Sequence, residues 1–163
     1  MSLDFFNEAC KYPPTSAETF GLCDDNDSVK AYPDFENTAN WIAEVRNRNH
    51  LEITVIAIDK CILHDHEYKG RGRCDCMLIT DTHLYLVELK DKRPPWQEEA
   101  IEQLESTMQF LEENHDITQF KKKKIYACNK KKKRFVVMDN GDNIAYFRKT
   151  GFRKDIQARI VVI

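Results

Sequence analysis

Residues 73–92, Arg-Cys-Asp-Cys-Met-Leu-Ile-Thr-Asp-Thr-His-Leu-Tyr-Leu-Val-Glu-Leu-Lys-Asp-Lys, restrict the fold more than any other stretch of the chain. Two apolar runs, Met77-Leu78-Ile79 and Leu84-Tyr85-Leu86-Val87, flank polar turn residues, the pattern of a β-hairpin. A two-residue loop at Asp81-Thr82 sets Thr80 opposite His83, Ile79 opposite Leu84, Met77 opposite Leu86 and Asp75 opposite Glu88. Facing residues lie roughly 4.5–5.5 Å apart at Cβ, and like charges there are destabilising. Lys90 follows Glu88 by two residues and therefore projects from the same face. Two carboxylates and an ammonium on one face of an apolar sheet require compensation. A bound divalent cation is the simplest one.

The order Asp75, a short gap, then Glu88-Leu89-Lys90 resembles the PD-(D/E)XK nuclease superfamily. The resemblance implies a restriction-endonuclease-like α/β core, a central mixed β-sheet flanked by helices in the order helix-strand-strand-strand-helix-strand. It covers about residues 44–128. It also implies a Mg2+ or Mn2+ ion held by Asp75, Glu88 and the Leu89 carbonyl, with Lys90 assisting the attacking water. Such oxygen-rich ligation suits a hard cation. A Glu on the helix before the first strand assists the metal in that superfamily, and Glu44, ahead of Glu36, matches it. A Gln on the following helix touches the site or the DNA in several branches. Gln103 matches that position, without the Tyr that often ends the motif.

At 163 residues the chain reads as a single domain, 1–163, large enough to bury a real core. Its 42% hydrophobic and 32% charged residues are those of an ordinary soluble globular protein. Residues 1–35 carry turn formers without a sustained period and predict an irregular or short-helical lead-in. Their acidic cluster Asp24-Asp25-Asn26-Asp27 reads as a solvated loop, because the Gly and Glu of an EF-hand are missing. Trp41, Ile42 and Val45 predict a helix from about Glu36 to Asn49, which would carry Glu44. Leu51 to Leu63 is a long β-branched run and predicts a strand covered on both faces. After Pro94-Pro95, the stripe Ile101, Leu104, Met108 and Leu111 predicts a helix from Trp96 to about His115. Residues 121–129 predict a strand closing a core of 36–129. In the remaining 130–163, Asn140-Gly141 predicts a hairpin between Phe135–Asp139 and Ile144–Phe147, followed by a docked strand from Ala158.

A net charge of −2 gives no global nucleic-acid signature, but the charge is uneven. Lys121–Lys124 and Lys130–Arg134 bracket one strand and predict a positive ridge able to hold phosphates, with Lys130 and Lys132 as contacts. Arg71 and Arg73 lead into Asp75 and are expected at the mouth of the site. His64-x-His66 with Cys74-x-Cys76 offers a zinc alternative, opposed by a register that turns both Cys away from Asp75. Six Cys without a CxxC pair predict reduced thiols in a cytoplasmic protein. No secretory pattern opens the sequence, and no apolar run reaches the roughly 18 residues of a membrane span. The chain reads as a metal-dependent nuclease acting on DNA rather than RNA. Specificity would come from a homodimer or a larger complex. The alternative is a non-catalytic nucleic-acid-binding or partner subunit that keeps the nuclease-like fold.

Overall fold

In the computed structural model, which describes residues 3–25, 28–130 and 140–163, the hairpin forms in the expected register. Met77 faces Leu86, Ile79 faces Leu84, and the Thr80 amide donates to the His83 carbonyl at 3.1 Å. The chain order is β1 (Thr19–Cys23), β2 (Tyr32–Asp34), β3 (Ala43–Arg46), β4 (Thr54–Ala57), β5 (Cys76–Ile79) and β6 (His83–Lys90). It continues with α1 (Gln97–Asn114), β7 (Lys122–Asn129), α2 (Asn140–Thr150), β8 (Arg153–Ile156) and β9 (Arg159–Val161). The protein is α/β, with two mixed sheets ordered β2-β1-β3-β9 and β4-β5-β6-β7-β8.

Period-2 alternation places β6 between two cores. Leu84 and Leu86, with Met77, Ile125 and Ala127, pack beneath α1 through Ala100, Leu104, Met108 and Leu111. Tyr85, Val87 and Leu89 face the other way and meet Phe20, Leu22, Ala43 and Val45 of the first sheet. A strand covered on both faces must be apolar on both, which is why residues 84–87 read as an unbroken run. The helical stripe is close to that expected, although Ile101 is only partly buried and Phe110 is fully so. Removing a side chain such as Leu104 from this layer costs about 2–5 kcal/mol.

Three expectations change. Residues 36–49 form no α-helix: a 3-10 turn at Thr38–Asn40 leads into β3, where Ala43 and Val45 point inward and Glu44 and Arg46 outward. The Trp41 ring lies where a Cβ on Gly21 would be, 2.1 Å from that position, so the segment is laid flat on β1. The lead-in is irregular with a 3-10 turn at Glu8–Cys10 only as far as β1; beyond that it contributes β1 and β2 to the first sheet. The hairpin about Asn140-Gly141 is replaced by α2; Phe135–Asp139 lie outside the described residues. The closing strand is docked as expected, β9 running parallel to β3.

Bridges Lys11–Ile56 and Thr15–Ile53 lay the lead-in along β4 and cover that sheet edge. They bring Cys10 beside Cys61, and the two form a disulfide. The expectation of six reduced thiols therefore fails at this pair, while Cys23, Cys74, Cys76 and Cys128 are free and buried. Among the described residues, no helix is long and apolar enough to cross a membrane.

Candidate active site

The ladder of the hairpin ends at Cys76–Val87, and Asp75 leaves it in a specific way. Its amide donates to the Val87 carbonyl at 3.1 Å, and its Oδ2 accepts the Leu89 amide at 2.7 Å. A side-chain oxygen thus takes the place of a backbone acceptor and fixes the carboxylate against β6. Cys74 also breaks the alternation. It lies in the core under α1 while Cys76 lies between the sheets, so the two thiols do not share one face as expected. The Thr107 hydroxyl accepts the Cys74 amide at 2.7 Å and donates to the Gln103 carbonyl, tying α1 to the residue before Asp75.

Asp75 is 8% exposed and Glu88 3%. Burial, followed by the neighbouring Glu88, pushes the Asp75 carboxyl well above the usual range. Glu88 is pushed up to about 7 by burial, against the pull of Lys90 and the influence of Asp75. Lys90 Nζ lies 3.2 Å from Glu88 Oε2 and 2.9 Å from Glu99 Oε1, while Lys92 Nζ lies 2.8 Å from Glu99 Oε2. Burial works against the Lys90 ammonium, but Glu88 and Glu99 outweigh it and the net shift is upward. In the cation-free protein Lys90 therefore stays charged. Asn129 holds the backbone beyond it, its side chain bonding both the Lys92 amide and the Lys92 carbonyl.

Two acidic residues passed over in the sequence join this end of the sheet. Asp24, just beyond β1, is pushed up to about 7 by burial and by the neighbouring Asp75. Asp59, two residues beyond β4, adds its charge to both Asp24 and Glu88, and is itself 3.5 Å from Lys60. The usable signal was position: each acid directly follows a buried run, Phe20–Cys23 or Val55–Ile58. Glu99 was likewise missed. It lies in the first turn of α1, where the helix dipole favours an acid, and Lys92 and Lys90 hold its carboxyl down to about 2.

The other expected residues divide. Gln103 lines a cleft of about 360 Å³ with Gly70, Arg71, Gly72, Glu99 and Glu102, and its buried Oε1 has no hydrogen-bond partner. It thus shares a cleft with Glu99, the anchor of Lys90. Glu44 is not on a helix. Its neighbours Ala43 and Val45 face the second sheet, so it points away from Asp75, and its Oε2 accepts from Arg46 at 3.0 Å and Arg159 at 3.2 Å. Arg73 clamps the His64, Asp65 and Glu67 carbonyls, and its Nε lies 3.7 Å from Asp59 Oδ1. Arg71 lines the cleft but is braced by Glu113 and lies 3.5 Å above the Phe110 ring. Lys130 sits at the site end, its amide donating to the Lys90 carbonyl at 2.8 Å, whereas Lys132 lies outside the described residues. His64 and His66 are exposed and remote in environment from the buried thiols, which leaves the zinc set unassembled.

Among the described residues, no group of three or more His, Cys, Asp or Glu gathers its ligand atoms around one point. Asp24 and Asp75, and Asp75 and Glu88, influence one another in pairs instead. That arrangement fits Mg2+, which keeps several waters and takes one or two protein carboxylates plus substrate phosphates. Glu88 Oε1 is the observation that favours such a fit: it is buried and without a hydrogen-bond partner. An unsatisfied buried oxygen costs about 1–3 kcal/mol, which a cation at that position would remove. Comparison with protein-family models, with curated proteins and with solved structures finds no match.

Proposed function

We propose that the chain is a metal-dependent nuclease of the PD-(D/E)XK type that hydrolyses phosphodiester bonds in DNA. The observation that carries this reading is the buried pair Asp75 and Glu88, with Glu88 Oε1 unpartnered and Lys90 Nζ 3.2 Å from Glu88 Oε2. The succession β4-β5-β6-α1-β7, with β7 parallel to β6, supports it by matching the strand-strand-strand-helix-strand part of the expected order. The preceding helix of that order has no counterpart among the described residues, and the first sheet covers the face it would flank.

A Mg2+ or Mn2+ held by Asp75 and Glu88 would supply a Lewis acid and a bound water of lowered pKa. The chain's own residues do the positioning. The Leu89 amide orients Asp75 Oδ2, and Leu89 itself is buried between the sheets. Lys90 presents a permanent positive charge beside the carboxylates, able to offset charge that develops on phosphate oxygens. Glu99 restrains that ammonium from the helix side. Active sites in open α/β sheets lie at the carboxyl ends of parallel strands, and Glu88, Lys90 and Asn129 occupy the carboxyl ends of β6 and β7.

The test is cleavage of duplex and single-stranded DNA in Mn2+ by the wild-type chain, Asp75→Asn and Lys90→Ala, with calorimetric Mn2+ binding in parallel. Loss of cleavage in both variants, with folding retained, supports the reading. Cleavage that persists in both variants overturns it. Absence of cleavage by the wild-type chain with no Glu88-dependent Mn2+ binding points instead to a non-catalytic binding subunit.

A further inference from the structure

The opposite end of the β6–β7 pair carries a separate feature. A cleft of about 370 Å³ opens there, lined by Tyr85, Lys121–Lys124, Phe147, Arg153 and Ile163. β7 runs from Lys122 at this cleft to Asn129 at the acidic end, a span of roughly 23 Å for seven residues. The expected basic ridge is therefore split, with Lys121–Lys124 at one pole and Lys130 at the other.

The charge at the cleft is largely uncompensated. Lys124 pairs with Asp155 at 3.2 Å, and among the described residues Lys121, Lys123 and Arg153 make no ion pair. Lys121 donates to the Thr118 carbonyl, and Lys122 donates to Ile163 O. The buried His83 registers the same field: burial depresses its imidazole, and Lys122 and Lys124 depress it further. Phe147 adds an apolar surface, 41% exposed on α2, with the Arg153 guanidinium 4.9 Å from its ring centroid. Cations beside an exposed aromatic ring suit a phosphate chain bearing unstacked planar bases. Bases paired inside a duplex cannot reach such a ring.

We infer that this cleft is a binding site for single-stranded nucleic acid, with Lys121, Lys123 and Arg153 contacting phosphates and Phe147 stacking a base. It is independent of metal-dependent cleavage. The site would hold a strand at the pole opposite the acidic cluster, giving a second point of attachment.

The experiment measures anisotropy of fluorescein-labelled (dT)12 with the full chain carrying Asp75→Asn, in EDTA, across a salt series. Cleavage is thereby removed, so failure of the nuclease reading leaves the result unaffected. Lys123→Ala/Arg153→Ala is expected to weaken binding at least tenfold and to make the salt slope shallower by about 1.4, two contacts at roughly 0.7 each on a single strand. Phe147→Ala is expected to weaken binding roughly tenfold with the slope unchanged. Unchanged affinity and slope in both variants would overturn the site. Equal binding of a 12-bp duplex overturns the stacking role, and competition by dTMP or inorganic phosphate at equal phosphate concentration overturns the strand as ligand. Protection of Lys121 and Lys123 from acetylation by (dT)12 in the chain with these side chains intact provides a second measurement should the double variant misfold. Absence of protection there also overturns the proposal.

Discussion

The two ends of the β6–β7 pair hold charge in opposite ways. At the carboxyl end, Asp75 and Glu88 are almost wholly buried, Glu88 raises the Asp75 carboxyl, and the Lys90 ammonium lies beside Glu88. At the amino end, Lys121 and Lys122 are exposed, and Lys121, Lys123 and Arg153 carry no carboxylate partner among the described residues. Buried charges interact strongly and shift each other's protonation, whereas exposed ones are screened beyond about 10 Å in ordinary salt. The acidic end is therefore built for chemistry that depends on proton and cation occupancy. The basic end is built for adjustable, salt-dependent attachment. Counting charges in the sequence would rank the basic end first; burial reverses the ranking.

The largest effect that sharpens this contrast is catalytic. Asp75→Asn is expected to reduce Mn2+-dependent cleavage on the order of a thousandfold, and Lys90→Ala on the order of a hundredfold to a thousandfold, measured by single-turnover kinetics. Asp24→Asn, which removes the third member of the row, should weaken calorimetric Mn2+ affinity while leaving the fold intact. Wild-type metal binding in Asp24→Asn would confine the site to the hairpin.

The next effect is on stability. Glu88 titrates near 7 in the folded chain against an ordinary value of 4.5, so the folded state holds the extra proton. Its contribution is full below about 4.5 and is lost as pH rises through about 7, a change of about 3 kcal/mol. Denaturant unfolding of the cation-free protein should therefore show lower stability at pH 8 than at pH 5; Glu88→Gln should reduce that slope without abolishing it, because the raised carboxyls of Asp75 and Asp24 act in the same direction, and Mn2+ should restore stability at pH 8. A wild-type profile that stays flat over this range would remove the buried-acid account.

Legibility followed the same division. The hairpin register could be counted because both runs are apolar and the turn between them is polar, so only one register buries them. The α1 stripe was readable for the same reason. Residues 41–47 misled because Trp41, Ile42 and Val45 suit a helix by spacing, while the alternation Ala43, Glu44, Val45, Arg46 suits a strand; pairing with β1 decides it. Asn140-Gly141 signals a turn only when strands flank it, and Ile144–Phe147 belong to a helix. Asp24 was invisible because its partner lies 51 residues away, and nothing local distinguishes a carboxyl touching Asp75 from a solvated one. The acid just beyond a buried strand is the pattern that should have raised it.

A smaller effect probes how Asp75 is positioned. Thr107 is fully buried, and its hydroxyl is the acceptor for the Cys74 amide. Thr107→Val keeps the shape and orphans that amide, which costs about 1–3 kcal/mol. Because Cys74 precedes Asp75, cleavage should fall further than Tm alone explains. Thr107→Ser, which keeps the hydroxyl, should recover most of the activity. Equal activity in Thr107→Val and the wild type would separate the helix contact from the site.

The smallest effect lies at the first residue of the same strand and has the opposite sign. His83 is buried, its Nε2 lies 2.7 Å from the Ile163 carbonyl, and its Nδ1 lies 2.7 Å from the Thr80 hydroxyl. Burial and the adjacent lysines depress its imidazole below the ordinary 6.5, so the folded state disfavours the proton that the unfolded chain accepts. Its contribution is therefore intact above about 6.5 and is lost as pH falls through the lower folded value. β6 thus begins with a group that destabilises the fold on acidification and ends near one that destabilises it on alkalinisation. In unfolding experiments from pH 4.5 to 8, His83→Gln should flatten only the acid side and Glu88→Gln only the alkaline side. Raising the salt concentration should relieve the His83 effect more than the Glu88 effect, because Lys122 is exposed and Asp75 is not. Equal salt sensitivity at the two ends would mean that the basic cleft is as secluded from solvent as the acidic one, and the contrast between the poles would collapse.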